Sequence, residues 1–300
     1  MRTVGIYYAY WTHEWDVDFA PIISKVKALG FDQLELNGGT IALLDKLERL
    51  SLRRKADSQE LRLSYGIGLR KELDVSSLDE ATRLRGVAFM QKMIDAVHSM
   101  GGGTIGGTVH SYWPAVMPAG LSDKRPILDQ SLKSMRELAP YAGSQNVMLN
   151  VEVINRFEQF LINDSHEALA YVKAVDHPAC RILLDTFHMN IEEDSFGDAI
   201  RRIGPYLAAL HLGETNRKLP GMGRIPWTEI REALDDIGFD GPLVMEPFIT
   251  QGGQVGRDIG VWRDIIENPD LDALASESAR FVRQNLCSSD TSYAVRGSAG

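Results

Sequence analysis

The stretch Val4-Gly5-Ile6-Tyr7-Tyr8-Ala9-Tyr10-Trp11-Thr12-His13 decides the fold. Its first six residues are small, aromatic or β-branched, and they read as a strand over 4–9. Apolar residues at helical spacing follow over 18–29, and Gly30 stands where a helix C-cap belongs. A strand and then a helix can open either of two parallel architectures. An open, doubly wound sheet would carry its glycine-rich phosphate turn directly after this strand. Tyr10-Trp11-Thr12-His13 cannot make that turn, which leaves the closed barrel.

Outward from this point the alternation continues. Strands are expected at 33–37, 61–67, 104–110, 147–152, 181–185, 206–211 and 242–246. Helices are expected at 41–57, 78–99, 127–141, 165–175, 195–203, 227–237 and after 258. Parallel strands need a helical crossover, so such a βα alternation implies a parallel sheet. Eight units over about 285 residues fit a (β/α)₈ barrel, for which roughly 250 residues is typical. The expectation is a single α/β barrel domain over residues 1–286, followed by a small, polar, disordered tail over 287–300.

Composition narrows the function. A net charge of −9 argues against nucleic acid, whose phosphates need a basic face. Cys180 and Cys287 cannot form a disulfide framework, and no zinc-finger spacing occurs. No apolar run approaches the roughly 20 residues that span a bilayer. The start, Met1-Arg2-Thr3 and then an aromatic strand, lacks the features of a signal peptide. A cytoplasmic chain with no membrane and no nucleic-acid partner is therefore expected. Gly101-Gly102-Gly103 and Gly221-Met222-Gly223 read as turns, and neither is followed by the Lys-Ser/Thr of a P-loop.

In a barrel of this kind, polar residues at the C-terminal ends of strands converge on one mouth. The last four strands run into Glu152, Asp185, His211 and Glu246, spaced 33, 26 and 35 residues apart. Each gap is one βα step, so the four side chains should occupy equivalent places on the rim. Any one alone is equally a solvated strand end or an N-cap. Four in register form an O₃N set whose three carboxylates would repel one another without a cation. Hard oxygen ligands with one imidazole favour Mn²⁺, Mg²⁺ or Co²⁺ over zinc. Glu158, His188 and Arg217 fall on the same rim as hydrogen-bonding groups suited to a polyol, although Glu158 could cap a helix and Arg217 could pair with Glu214. His188 could equally be a buried, hydrogen-bonded histidine. Tyr7, Trp11, Trp15, Tyr112 and Trp113 are candidates for apolar walls, or for ordinary packing.

Several runs resemble the ketose 3-epimerases, the D-tagatose 3-epimerase and D-psicose (D-allulose) 3-epimerase enzymes. They are Glu152-Val153-Ile154-Asn155-Arg156-Phe157-Glu158, Leu184-Asp185-Thr186-Phe187-His188-Met189-Asn190, His211-Leu212-Gly213-Glu214-Thr215-Asn216-Arg217 and Met245-Glu246-Pro247-Phe248. Gly5-Ile6-Tyr7-Tyr8-Ala9-Tyr10-Trp11, His110-Ser111-Tyr112-Trp113-Pro114, Gly223-Arg224-Ile225-Pro226-Trp227 and Asp258-Ile259-Gly260-Val261-Trp262-Arg263-Asp264 are similar too. The likeness spans residues 3–286, but 37–40 and 115–124 follow no matching pattern. It implies a xylose-isomerase-like barrel with one Mn²⁺ or Co²⁺ per subunit, held by Glu152, Asp185, His211 and Glu246. It further implies Glu152 and Glu246 as the acid/base pair, and Glu158, His188 and Arg217 as ligands of sugar O1–O3. Tyr7, Trp15 and Trp113 are implied as pocket walls, and a homodimer or homotetramer as the assembly.

The chemistry expected is C3 epimerisation of a free ketose: D-tagatose/D-sorbose, D-fructose/D-allulose or L-ribulose. The C3 proton lies α to a carbonyl, and its loss leaves a cis-enediolate that a cation would stabilise. Return of a proton to the opposite face requires two acid/base groups flanking C3. An aldose–ketose isomerase is the nearest alternative, but the sequence offers no second ligand cluster. Endonuclease IV-like repair would want a histidine-rich site and a basic face. A sugar- or metal-binding protein would not need two flanking carboxylates.

Overall fold

A computed structural model describes residues 1–287. Its strands are β1 (Thr3–Tyr7), β2 (Gln33–Asn37), β3 (Arg62–Leu69), β4 (Gly103–Tyr112), β5 (Val147–Glu152), β6 (Cys180–Asp185), β7 (Leu207–Leu212) and β8 (Pro242–Met245). They pair in chain order, and β1 closes on β8 with Ile6 beside Met245. Every pairing is parallel, as the crossover argument requires. Around them lie α1 (Ala20–Ala28), α2 (Gly38–Leu43), α3 (Lys46–Ser58), α4 (Glu80–Ser99), α5 (Arg125–Ser144) and α6 (Ser165–Val175). The second half adds α7 (Thr186–Glu192), α8 (Phe196–Ile203), α9 (Trp227–Asp236), α10 (Gly253–Ile259) and α11 (Leu271–Val282). The strands are buried on both faces: Ile182 and Leu184 of β6 pack outward under helices, while Leu183 turns inward against Gly106.

Local signals explain most boundaries. α1 ends in a Schellman motif, with Phe31 N–H donating to the Val26 carbonyl and Gly30 N–H to Lys27. Gly30 takes φ +89°, the left-handed conformation that the C-cap reading anticipates. Three expectations are corrected. The first strand stops at Tyr7, because Tyr8–Trp11 coils into a 3₁₀ turn that packs Tyr8 edge-on against Phe19. The helix expected over 41–57 is two helices. Asp45 breaks it by capping α3, accepting from Glu48 N–H while the Glu48 carboxylate accepts from Asp45 N–H. At the far end, Cys287 closes a π-helical turn over Arg283–Cys287 and so continues the last helix instead of beginning the expected tail. The rest of that tail lies outside the described residues.

One irregularity shapes the mouth. Ile67 pairs with Gly107, but Leu69 pairs with Tyr112, so β4 gains length over β3 in a bulge. Gly107 sits there at φ +106°, and a Cβ on it would lie 2.2 Å from the Ile67 carbonyl oxygen. The added length brings Trp113 over the barrel end, where its N–H donates to the Leu69 carbonyl at 2.8 Å.

Candidate active site

Strand geometry brings the four expected ligands together. Glu152 and Asp185 are the last residues of β5 and β6, and His211 of β7 pairs in register with Asp185. Glu246 follows β8, its N–H still donating to the Leu212 carbonyl at 3.0 Å. One ligating atom from each lies within 4.8 Å of the others, and among the described residues this is the single group of its kind.

Orphaned atoms test whether a cation fits. Asp185 Oδ1 accepts from Phe187 N–H at 2.6 Å and so caps α7, as the N-cap alternative allowed. Asp185 Oδ2 is buried with no hydrogen-bond partner. His211 Nδ1 is likewise buried and unbonded, facing Glu152 Oε1 at 3.5 Å and Glu246 Oε1 at 3.8 Å. Buried polar atoms are rarely left so, and a hard divalent ion matches this donor set.

The electrostatics carry the same strain. Burial, then the charges of Glu152 and Asp185, push the Glu246 carboxyl well above the usual range against the pull of His211. Burial also opposes ionisation of Asp185, but His188, Arg217 and His211 together hold it low. For His211 the burial penalty is outweighed by Glu35 and Glu246, and its imidazole is pushed well up.

A cavity of about 530 Å³ opens above this cluster, within the range of small-molecule sites. Glu158, His188 and Arg217 line it together with Tyr7, Trp15 and Trp113, so every expected sugar-binding residue reaches one space. Arg217 does not pair with the Glu214 carboxylate, which binds Gly221 N–H, Ile225 N–H and Trp227 Nε1–H instead. Its guanidinium stacks 3.9 Å from the Phe187 ring centroid and approaches Glu246 at 3.3 Å, Glu158 at 3.5 Å and Asp185 at 3.8 Å. Glu158 does not cap a helix. Asn155 Nδ2–H and Trp113 Nε1–H donate to its two oxygens at 3.0 and 3.1 Å, and despite its burial Arg217 holds its carboxyl low.

Asn155 also contacts His188 Nδ1, at 2.7 Å from its side chain, and the Asn155 backbone N–H donates to the same nitrogen. Nδ1 therefore accepts, and the neutral ring carries its proton on Nε2. Burial pushes the His188 imidazole down in spite of Asp185, which keeps it neutral.

Two aromatic candidates fall elsewhere. Trp11 donates to Asp272 on α11 and lies under Lys25, while the Tyr112 hydroxyl turns to the Val116 carbonyl. The 3₁₀ turn rotates Trp11 away from the mouth, and strand alternation turns Tyr112 away from its neighbour Trp113. Sequence reasoning missed Glu35, Asn155 and also Phe248, which lines the cavity with its ring centroid 5.4 Å from the Arg217 guanidinium. Glu35 had a signal, since it is the one charge in an otherwise uncharged strand.

Known proteins agree with this geometry. Residues 23–284 match the family model described as xylose isomerase-like TIM barrel. A D-psicose 3-epimerase of Ruminiclostridium cellulolyticum is 44% identical over 94% of this chain and 97% of its own. A D-psicose 3-epimerase of Agrobacterium fabrum is 44% identical over 92% of this chain and 95% of its own. A crystal structure of a D-psicose 3-epimerase in the presence of D-fructose superposes with a TM-score of 0.92 at 42% identity, covering 95% of this chain and 99% of that one. The chain belongs to the xylose isomerase-like TIM barrels and, within them, to the ketose 3-epimerase family.

Proposed function

We propose that this chain epimerises free ketoses at C3, exchanging D-fructose with D-psicose (D-allulose) and D-tagatose with D-sorbose, and also acting on L-ribulose. One observation carries the reading: two carboxyls, Glu152 and Glu246, reach the same cavity from β5 and β8 within a buried O₃N cluster. Glu152, Asp185, His211 and Glu246 would hold a divalent cation, Mn²⁺ first and Co²⁺ or Mg²⁺ as alternatives, which would supply Lewis acidity toward the developing oxyanion.

The chain's own residues do the rest. One of Glu152 and Glu246 removes the C3 proton, and the C–H electron pair passes into the cis-enediolate. The other carboxyl, which enters the step protonated, delivers its proton to the opposite face; the pair ends with its protonation states exchanged, resets through water, and takes the reverse roles for the other epimer. Arg217 and the Nε2–H of His188 donate to sugar oxygens, while Glu158, fixed by Trp113 and Asn155, accepts from a hydroxyl. Tyr7, Trp15 and Trp113 wall the sugar and exclude water. The working form is a homodimer or homotetramer in the cytoplasm, which light scattering of the purified protein would check.

The decisive experiment incubates Mn²⁺-restored protein with D-fructose in D₂O and follows exchange by NMR. Deuterium at C3 with appearance of D-psicose supports the proposal. Label at C1 or C2 instead means an aldose–ketose isomerase, and no label means a binding protein.

A further inference from the structure

Glu35 lies in the barrel interior with no role in the chemistry above. It stands midway along β2, in register with Tyr7 of β1 and Ser64 of β3, and is 5% exposed. A carboxylate buried this deeply needs a partner, and no Lys or Arg approaches it among the described residues. Its Oε2 accepts from Ser64 Oγ–H at 2.8 Å, and Ser64 in turn accepts from Gln33 Nε2–H at 2.8 Å. Its Oε1 reaches across the barrel to His211 Nε2 at 2.9 Å. Neither of those two atoms has a hydrogen-bond partner, so their 2.9 Å approach is a close N···O contact that leaves each open to the other. Gly66 keeps the space open, because a Cβ there would stand 3.3 Å from Glu35 Oε1.

The two nitrogens of His211 thus face different groups. Nδ1 looks at Glu152 and Glu246, and Nε2 looks at Glu35. We propose that Glu35 is a positioning residue that accepts the Nε2–H of His211, fixing the tautomer in which Nδ1 is the free donor toward the cation. Such a carboxylate orients the ring and raises its basicity, and loss of one typically weakens metal binding about 10- to 100-fold. Ser64 and Gln33 extend the relay and hold Glu35 in its rotamer. This inference rests on the metal site of the proposed function.

The test measures Mn²⁺ affinity by titration calorimetry of chelator-stripped protein, for wild type, E35Q, E35A and the gentler S64A. E35A should bind Mn²⁺ about 10- to 100-fold more weakly, S64A less so, and E35Q between them, because its amide oxygen can still accept from Nε2–H. The visible absorption of the Co²⁺-loaded forms should shift in E35A, and the melting temperature of each metal-free form shows whether the barrel itself has suffered. Wild-type Mn²⁺ affinity in E35A or E35Q, with an unaltered Co²⁺ spectrum, would overturn the positioning role alone. If the larger substitutions do not fold, unchanged affinity in S64A overturns it. A wild-type chain that takes up no divalent ion would overturn the metal site and this inference together.

Discussion

Removal of the cation should destabilise the barrel by an amount the cluster geometry sets. Two carboxylates no more than 4.8 Å apart repel by at least roughly 3.5 kcal/mol at an effective dielectric of ~20. Three ionised carboxylates make three such pairs, on the order of 10 kcal/mol, which rivals the whole stability of a typical domain. The metal-free chain avoids most of that by keeping Glu246 protonated, since its carboxyl is pushed well up. A divalent ion eases the conflict and makes that proton easier to lose, so binding should release protons and strengthen as pH rises through the raised Glu246 titration. At a free Mn²⁺ concentration 100 times Kd the gain is about 2.7 kcal/mol, or roughly 4–5 °C in Tm for a domain of this size. Differential scanning calorimetry before and after chelation reads this directly, and calorimetric titration in two buffers counts the protons. Glu246→Gln mimics the neutral acid, so its metal-free Tm should stay close to wild type while most of the Mn²⁺ response disappears. An unchanged Tm on chelation, or a full Mn²⁺ response in Glu246→Gln, would refute the electrostatic account.

Four further outcomes are expected. Glu152→Gln and Glu246→Gln, each at saturating metal, should lose about 10²- to 10⁴-fold in turnover, and full turnover in either removes it from the acid/base pair. Trp113→Phe deletes the Nε1–H bond to Glu158; a bond to a charged group is worth about 1.5–3 kcal/mol, so kcat/KM should fall at least about 10-fold, and steady-state kinetics unchanged from wild type would contradict the clamp. His110, buried with both nitrogens unbonded, is pushed down by burial from 6.5 to about 3. The unfolded chain binds that proton first, so stability is full above pH 6.5 and drains as pH falls toward 3, by roughly 2 kcal/mol between pH 6.5 and 5; denaturant melts of His110→Phe should show a flatter acid limb, and an identical limb counts against the assignment. Gly107→Ala should cost at least about 1–3 kcal/mol from its backbone conformation alone, with a further penalty from the Ile67 carbonyl, and a Tm equal to wild type would mean that the bulge can relax.

The barrel and the clustering of its four candidate ligands were legible because both depend on period. Eight apolar runs separated by helical stretches leave few topologies, and the step between strand ends carried Glu152, Asp185, His211 and Glu246 to one rim. What stayed hidden depends on contacts between distant segments. The Asp45–Glu48 capping box was present in the sequence as Asp-x-x-Glu but sits inside a continuous helical pattern, so the break in 41–57 escaped notice. Trp11 and Trp15 are indistinguishable by composition, and only the 3₁₀ turn decides that Trp15 faces the cavity while Trp11 joins Asp272. Glu35 and His211 are far apart in sequence and stand on strands three places apart around the barrel, so no local pattern could join them.

The charge of the site also indicates why the ion should be divalent. Glu152, Asp185, Glu246 and Glu158 carry four negative charges when ionised, and Arg217 is the fixed cation that approaches three of them. Arg217 cannot replace a metal, because its guanidinium is stacked on Phe187 and stands at 3.3 to 3.8 Å from the carboxylates, alongside the cluster instead of within it. Its one charge leaves an excess of three, and a monovalent ion would still leave two in the cavity. A divalent ion reduces the excess to one. In the proposed reaction one of Glu152 and Glu246 carries a proton, which would bring the total to zero. C3 proton transfer to the other would move its charge onto the sugar oxygens without changing that total, so the site would not need to rebalance as the proton crosses from one face to the other.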